Sequence, residues 1–522
     1  MSENQPILGV DFGMTAVVAA VVREVGGAPE VVPAERGGIA LPAVVNFRDR
    51  SRPLVGRGAH QQLLVDPTRT VTGIKRLLGR KASSQAVRDL QARVGFAVEE
   101  GHEGQAVLSV EGQTIEVEEV AALLLEQVRR FAERHLGAAP RAAVMAVPAY
   151  FNEAQRMSIR KAGELAKLDV VKLVHEPTAV ALAYGYNRLD DARVMVVDMG
   201  GVRLDVSVLE IAGNVFDVVA TGGDPYLGGV NVDSRVAKWI SDGIRKRHGK
   251  DALTEPKLLQ KVRTAAEQAK VELGRCKAVD LQIPYGSGTK NGRPPVATLR
   301  LHARVVDELA SDVIERAMAT IERTLSARSI QPSDIDDVLL AGGATQMAGF
   351  RRALEDMFGR PPRAALPPPA AIALGAALLG DSLRRPTVAD GPTFDASLGI
   401  ALADGRFMPV IERHSRLPIT RRVMIPTVRD GQQTVEVDLF VGEGEDIIDV
   451  DYLGTIIYPS MPAAEAGESK LVVDLTLDEQ RVLRLTSPEE GRSGESFEFD
   501  LSGYRPGQGP ASTFRVARAA RR

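Results

Sequence analysis

Two short apolar runs in this 522-residue chain stop at an aspartate and a glycine. The first, ILGVDFGMT, covers residues 7–15 and sets Asp11 two positions before Gly13. The second, VMVVDMGGVRLD, covers residues 194–205 and sets Asp198 two positions before Gly200. A strand that ends in Asp-x-Gly makes a tight turn whose backbone N–H groups can come close to a phosphate. The carboxylate beside such a turn can hold a hydrated Mg²⁺ that bridges phosphate oxygens. One turn of this kind carries little weight. Its recurrence so far along the chain points to a nucleotide held between two lobes of similar build.

The elements needed to position those turns are legible in the apolar spacing. Residues 7 to about 110 read as strands and turns, with a helix-like VTGIKRLLGR among them. Helical periodicity follows at Val117–Leu136, then the strand AAVMAVP and a helix over Glu153–Leu168. The same layout recurs after Val194: strands VMVVDM and LDVSVLEI, then a helix near Val232–His248. Amphipathic helices are expected at Leu258–Leu273 and Val305–Leu325, and VLLAGGATQMAG at 338–349 reads as a strand, a double-glycine turn and a helix. PPRAALPPP, 361–369, reads as a loop inside the domain because the helical AIALGAALLG follows it directly. Beyond a boundary near 381–395 the period changes to two: TVEVDLFV, DIIDVDYLG, KLVVDLTL, RVLRLT and SFEFDL predict an antiparallel β-sandwich or barrel. The last residues, RPGQGPASTFRVARAARR, hold five arginines and no acid, and read as a basic disordered tail.

Bulk composition narrows the function classes. The length predicts several domains. Apolar residues make up 44% and charged residues 25%, the balance of a globular protein. A net charge of −3 supplies no basic field for nucleic acid. The single cysteine, Cys276, cannot form an intramolecular disulfide and reads as a half-buried helix residue. MSENQPILGV has no basic start followed by a long apolar run, and no segment has the length of a membrane span, so a cytoplasmic location is expected.

Longer motifs carry a resemblance. ILGVDFGMT, GIKRLLGR, AVPAYFNEAQR, HEPTAVALAYGY, VVDMGGVRLD, GGDPYLGGVNVD, AAEQAKVEL, DIDDVLLAGGATQM and AIALGAALLG resemble the heat-shock protein 70 family, the DnaK-type chaperones, over roughly residues 7–500. That resemblance implies an α/β plus β fold: an actin-like, two-lobed ATPase domain over 1–384, with lobes of about 1–193 and 194–384. A linker at 385–396 and a peptide-binding β-sandwich at 397–504 follow, the tail beginning at 505. It implies ATP or ADP with Mg²⁺ as cofactors, and extended peptide clients, a J-domain co-chaperone and a nucleotide-exchange factor as partners. Neither nucleic acid nor membrane is expected.

Residue by residue, Asp11 and Asp198 match the family acids that contact Mg²⁺ through water. Gly13 and Thr15 match the first phosphate loop; Gly200 and Gly201 match the second, with Arg203 beside them. Lys75 matches a lysine near the γ-phosphate, and a point charge suits the negative charge that develops in transfer. Glu176 matches the carboxylate that positions metal and attacking water, and Asp205 an acid near that water. Gly228 and Gly229 match a further phosphate-proximal turn, Glu267 and Lys270 positions near ribose and adenine, and Gly342 and Gly343 the turn beneath the base. In the β-domain Ile400, Ile425, Val428, Val435 and Val437 match residues that line the peptide groove; read from their period alone they are core residues of a sandwich.

The departures are as informative. DLGGGTFD of the family reads DMGGVRLD here, with Val202 in place of the third glycine and Arg203 in place of the threonine. A β-branched residue disfavours positive φ, so this turn is expected to take a different backbone or shift outward. Arg203 has two open roles: bidentate contact with phosphate, or folding back on Asp198 or Asp205 at the metal position. Val271, Gly274, Gln346 and Pro369 stand where the family has two arginines, a serine and an aspartate, so adenine loses stacking partners and weaker ATP binding is expected. The apolar family linker is replaced by VADGP at 388–392, where only Val388 keeps its character. Pro148 and Arg156 keep the family's switch and relay positions, and Lys172 supplies a base at its J-domain contact. Ala403 replaces a bulky residue that arches over the peptide. No pattern for the helical lid follows the β-domain.

Three functions are compatible with these residues: a lidless ATP-binding chaperone with weak ATPase at most; a nucleotide-sensing module with no significant ATPase that holds one dedicated partner; and another actin-like protein such as a sugar kinase or filament protein. The last has no use for a C-terminal β-sandwich.

Overall fold

A computed structural model describes residues 5–185, 192–212, 215–252, 254–285, 294–363, 365–384, 392–402, 405–444, 446–459, 461–487 and 496–504. The linker residues 385–391 with Val388, Ala403, and the tail from 505 lie outside the described residues. Internal contacts divide the chain into two compact units. The first takes in everything up to Tyr186 together with Ala192–Leu209 and Val218–Arg385; the second holds the remainder, chiefly the residues from Pro386 onward.

In the first unit, near-continuous apolar strands form sheets covered on both faces, as parallel pairing requires. Leu8–Phe12 lies parallel to Ala142–Val147 and antiparallel to Ala16–Val21, and Ala142–Val147 is in turn parallel to Asp169–His175. A second sheet repeats the arrangement, with Ala192–Met199 parallel to Asp337–Ala341 and hydrogen-bonded on its other side to Leu204–Ala212. Each aspartate of interest therefore ends the central strand of its sheet, with Asp11 opposite Ala146 and Asp198 opposite Ala341.

The helices match their sequence signals at the ends. Glu153–Leu165 begins at a capping box: the Asn152 side chain accepts from the Gln155 N–H and the Gln155 side chain accepts from the Asn152 N–H. Val117–Leu136 ends at Gly137, whose φ of 78° suits a residue without Cβ. Ala371–Arg384 is apolar on nearly all sides and accordingly buried. It crosses to the first sheet, where a Cβ on Gly9 would strike the backbone of Ala373 and Ala377, and one on Gly375 would strike that of Ala179.

Three local expectations are corrected. VTGIKRLLGR is a strand, Thr70–Thr72, followed by one 3-10 turn, Ile74–Arg76; Gly73 sits between them at φ 72°, which stops a continuous helix. Cys276 is exposed and lies beyond the helix Pro256–Leu273. DIIDVDYLG divides into a 3-10 turn, Ile447–Asp449, and a strand, Asp451–Pro459.

In the second unit two antiparallel sheets share one core. One runs Phe407–Ile411, Ser397–Ala401, Thr434–Gly442, Asp451–Pro459; the other runs Ile419–Pro426, Lys470–Leu477, Val482–Thr486, Ser496–Asp500. Leu398, Val437, Leu439 and Tyr458 from the first meet Val423, Val473, Leu475 and Leu485 from the second. Strict alternation of buried and partly exposed positions along Lys470–Leu477 follows from the strand period. Among the described residues, no helix is long and apolar enough to cross a membrane.

Candidate functional site

Four carboxylates and two cations converge where the central strands of the first unit end. Lys75, on the 3-10 turn, forms an ion pair with Glu176 at 2.5 Å, and both side chains are at most a tenth exposed. Glu176 opens the helix Glu176–Ala183, placed there by the strand Asp169–His175 and by Pro177, which suits the first turn of a helix. Arg203 pairs with Asp205 and lies over the Tyr150 ring, 4.5 Å from its centroid. Arg203 thus folds back onto Asp205, one of the two roles open to it.

Among the described residues of this cluster, Asp11 and Asp198 are the acids without a direct ion pair, Lys75 acting on both from farther off. Burial pushes the Asp11 carboxyl up to about 7, with Lys75 opposing and Glu176 adding to the rise. Burial likewise lifts Asp198 well above the usual carboxylate range, reinforced by Glu176, Asp11 and Asp205. Asp205 is raised by burial against the pull of Arg203, and the Tyr150 hydroxyl is raised by burial and by Asp205. Lys75 is raised: burial disfavours its charge, but Glu176 and Asp11 outweigh that. Carboxyls raised in this way keep protons that a bound cation would displace, and among the described residues no group of three or more His, Cys, Asp or Glu side chains is arranged to hold a metal ion directly.

The backbone around these acids is cleared by glycine. A Cβ on Gly201 would meet the Thr15 side chain, one on Gly228 the carbonyl of Gly201, and one on Gly342 the Asp198 carboxylate. Gly342 also has φ 77°, so its lack of a side chain is required twice over. Gly200 N–H donates to Arg203 O at 2.9 Å and Gly13 N–H to Ala16 O at 3.0 Å, so both turns close alike. Val202 is not at positive φ, so the β-branched residue sits in a backbone region open to it. Gly229 and Val230 N–H donate to the carbonyls of Gly200 and Gly201 at 3.0 and 2.8 Å, which fixes the Gly228–Gly229 turn to the second phosphate turn.

The base-side residues are more dispersed. Lys270 is turned inward, pairing with Asp233 at 2.7 Å and donating to Gly229 O at 3.2 Å, whereas Glu267 is exposed on the same helix. Val271 is 59% exposed. Gly343 lies on a 3-10 turn that follows Gly342, with Pro369 facing it. In the second unit Ile400, Val435 and Val437 are buried in the common core and Ile425 packs against it; Val428 is 61% exposed. These five are therefore not gathered on one open surface.

The sequence pattern assigns no role to Tyr150, although it lies within the PAYF segment. With Pro148, Glu176, Asp198, Arg203 and Asp205 it lines a cavity of about 110 Å³. Asp233, the partner of Lys270, closes the GGDPYLGGVNVD motif without an assigned role; it lies on the helix Gly229–His248 and pairs with a residue of the helix Pro256–Leu273. Arg156 donates to Phe151 O and contacts His175, Lys172 is exposed on the strand Asp169–His175, and no J-domain contact can be read from it.

The residues present fit a magnesium nucleotide. Two partly buried acids stand without an ion pair of their own, and glycines keep the backbone beside them clear. Residues 7–499 match the Hsp70 protein family, nearly the full chain. Members of that family bind nucleotide with Mg²⁺ and act as chaperones on peptide clients with the help of co-chaperones. On the strength of that match, this chain belongs to the Hsp70 family.

Proposed function

We propose that this chain is an ATP-binding chaperone of the Hsp70 family whose hydrolysis is held low by Arg203, and whose β-domain takes extended apolar peptide. The observation that carries the reading is the Arg203–Asp205 ion pair beneath Tyr150. Asp11 and Asp198 would hold Mg²⁺ through water, and main-chain N–H groups beside Gly13, Thr15, Gly200 and Gly201, other than those of Gly13 and Gly200 that close the turns, would face the phosphates. When bound, ATP with Mg²⁺ supplies the scissile phosphoanhydride and the charge that screens it.

Lys75 and Glu176 restrain one another, so each side chain is already ordered before any ligand arrives. Glu176 is then placed to orient a water, and Lys75 to face developing negative charge. Asp205 stands apart from this. One of its oxygens accepts from Arg203, and a carboxylate engaged by a guanidinium is a weaker base for that water. Binding thus rests on backbone and buried acids that are intact, while turnover rests on a carboxylate that is engaged.

The second reading, a nucleotide-sensing module for one dedicated partner, is favoured by the burial of Ile400, Val435 and Val437, which offer no open apolar pocket. Single-turnover hydrolysis of labelled ATP in the isolated complex, with Mg²⁺, separates the two. Slow conversion that rises about tenfold or more in Arg203→Thr supports the first, since restoring one acid–base contact is worth that much. ATP retained but unconverted in both proteins supports the second. A complex that retains no ATP removes both.

A further inference from the structure

Tyr226 sits two residues before the Gly228–Gly229 turn, between two arginines that come from far earlier in the chain. The Arg93 guanidinium lies 4.1 Å and that of Arg76 4.6 Å from its ring centroid. Its hydroxyl donates to the Asp89 carboxylate at 2.8 Å, and Arg76 also donates to the carbonyl of Pro225. On its own side the loop is tied down separately: the Tyr226 N–H donates to Asp224 at 3.0 Å, and Arg316 holds the other oxygen of Asp224 at 2.6 Å.

Both ends of this arrangement border the site. Arg76 follows Lys75 directly on the Ile74–Arg76 turn, and Tyr226 precedes the turn that hydrogen-bonds to Gly200 and Gly201. The strands that carry the first phosphate turn and those that carry the second are separate sheets, and the Tyr226 stack is one of the contacts that span from the Lys75 turn toward Gly228. An aromatic ring held between guanidinium groups is suited to this: each face is attracted to a cation, while the stack can open without breaking a core.

We propose that Tyr226 is a positioning residue of the nucleotide site, a clamp that joins the Lys75 turn to the Gly228–Gly229 turn and sets how fast a nucleoside triphosphate leaves. The proposal rests on the reading that this cleft binds nucleotide. It assigns the ring faces as the working part, with the Asp89 hydrogen bond secondary.

The test uses the full chain with Mg²⁺ and N-methylanthraniloyl-ATP, chased by excess unlabelled ATP in a stopped-flow instrument. Tyr226→Ala loses both stacked cations, and its dissociation rate is expected to rise about tenfold. Tyr226→Phe keeps the ring and loses only the hydroxyl, so it should stay within about threefold of the parent. Equal rates for the parent and Tyr226→Ala overturn the clamp; a Tyr226→Phe rate as high as that of Tyr226→Ala overturns the ring assignment. If the parent retains no fluorescent nucleotide, the nucleotide reading fails separately. Amide hydrogen exchange over residues 74–93 of the ligand-free proteins then decides: faster exchange in Tyr226→Ala than in Tyr226→Phe supports the clamp, and equal exchange refutes it. Matching unfolding midpoints for the two variants show that the difference is local.

Discussion

At Gly13 the backbone N–H donates to the carbonyl of Ala16, and at Gly200 it donates to that of Arg203. The preceding acids, Asp11 and Asp198, end equivalent strands of two similarly ordered sheets. The two turns close by equivalent backbone hydrogen bonds. Their side chains differ. The first turn closes on Ala16 and continues into the buried Val17 and Val18, while the second closes on Arg203 and continues into Leu204 and Asp205. The first thus offers little but main chain and Thr15, and the second adds a charge pair that neutralises itself. The comparison teaches that phosphate contact and phosphate chemistry are separable: main chain can be kept in both halves while one side-chain position alters the reactivity of the pair.

The sharpest way to break the symmetry is through the ion pairs, since each half contributes one. Lys75→Ala leaves Glu176 buried without its partner, and a loss of ~3–5 kcal/mol is expected in denaturant unfolding of the ligand-free protein. A change under ~1 kcal/mol would show that Glu176 finds another partner or water. The glycines come next. A Cβ on Gly13 would stand 2.5 Å from the carbonyl oxygen of Ala16, whereas one on Gly200 would stand 3.8 Å from that of Arg203. Gly13→Ala should therefore cost ~1–3 kcal/mol and Gly200→Ala less than ~1 kcal/mol. Equal costs would mean that the difference in clearance does not govern the two turns.

Acidity offers a third probe. A carboxyl raised from its ordinary value to about 7, as Asp11 is, binds more protons folded than unfolded across that interval. Stability contributed by its neutral form is present at low pH and is lost as pH rises toward 7. The ligand-free protein should accordingly lose stability from about pH 4 to 7, and Asp11→Asn should flatten that slope. A profile unchanged by the substitution would assign the slope to Asp198 and Asp205 instead. The smallest effect is expected at Arg203. Its pair with Asp205 is about a quarter exposed on each side, so Arg203→Thr should shift stability by less than ~1 kcal/mol even where it alters turnover.

How far the sequence carries depends on whether a residue's role is periodic. The acids and glycines are legible because a strand that stops at Asp-x-Gly has few other uses, and the capping box at Asn152 and Gln155 announces itself locally. Period two likewise places Val435 and Val437 inward and Glu436 outward. That parity cannot separate a groove from a core, since both face inward, and burial in the common core is known only from the assembled sheets. Tyr150 and Tyr226 fall inside matching motifs, but no periodicity tells what their side chains do. Each is an aromatic residue on a loop whose partners, Arg203 in one case and Arg76 with Arg93 in the other, come together only through the fold. Arg203 itself has more than one partner within reach of its sequence position for the same reason, because the direction of a long side chain is settled in three dimensions.

The helix Ala371–Arg384 bears on how this chain is made. It seals the face of the first sheet that holds Val18, Ala20 and Val22, and Arg384 donates to the carbonyl of Val22 across 362 positions. During vectorial synthesis that face leaves the ribosome long before its cover exists. At some 5–20 residues per second the N-terminal strands wait for tens of seconds with apolar surface uncovered. A protein of a chaperone family thus passes through an interval in which its own apolar strands stand uncovered.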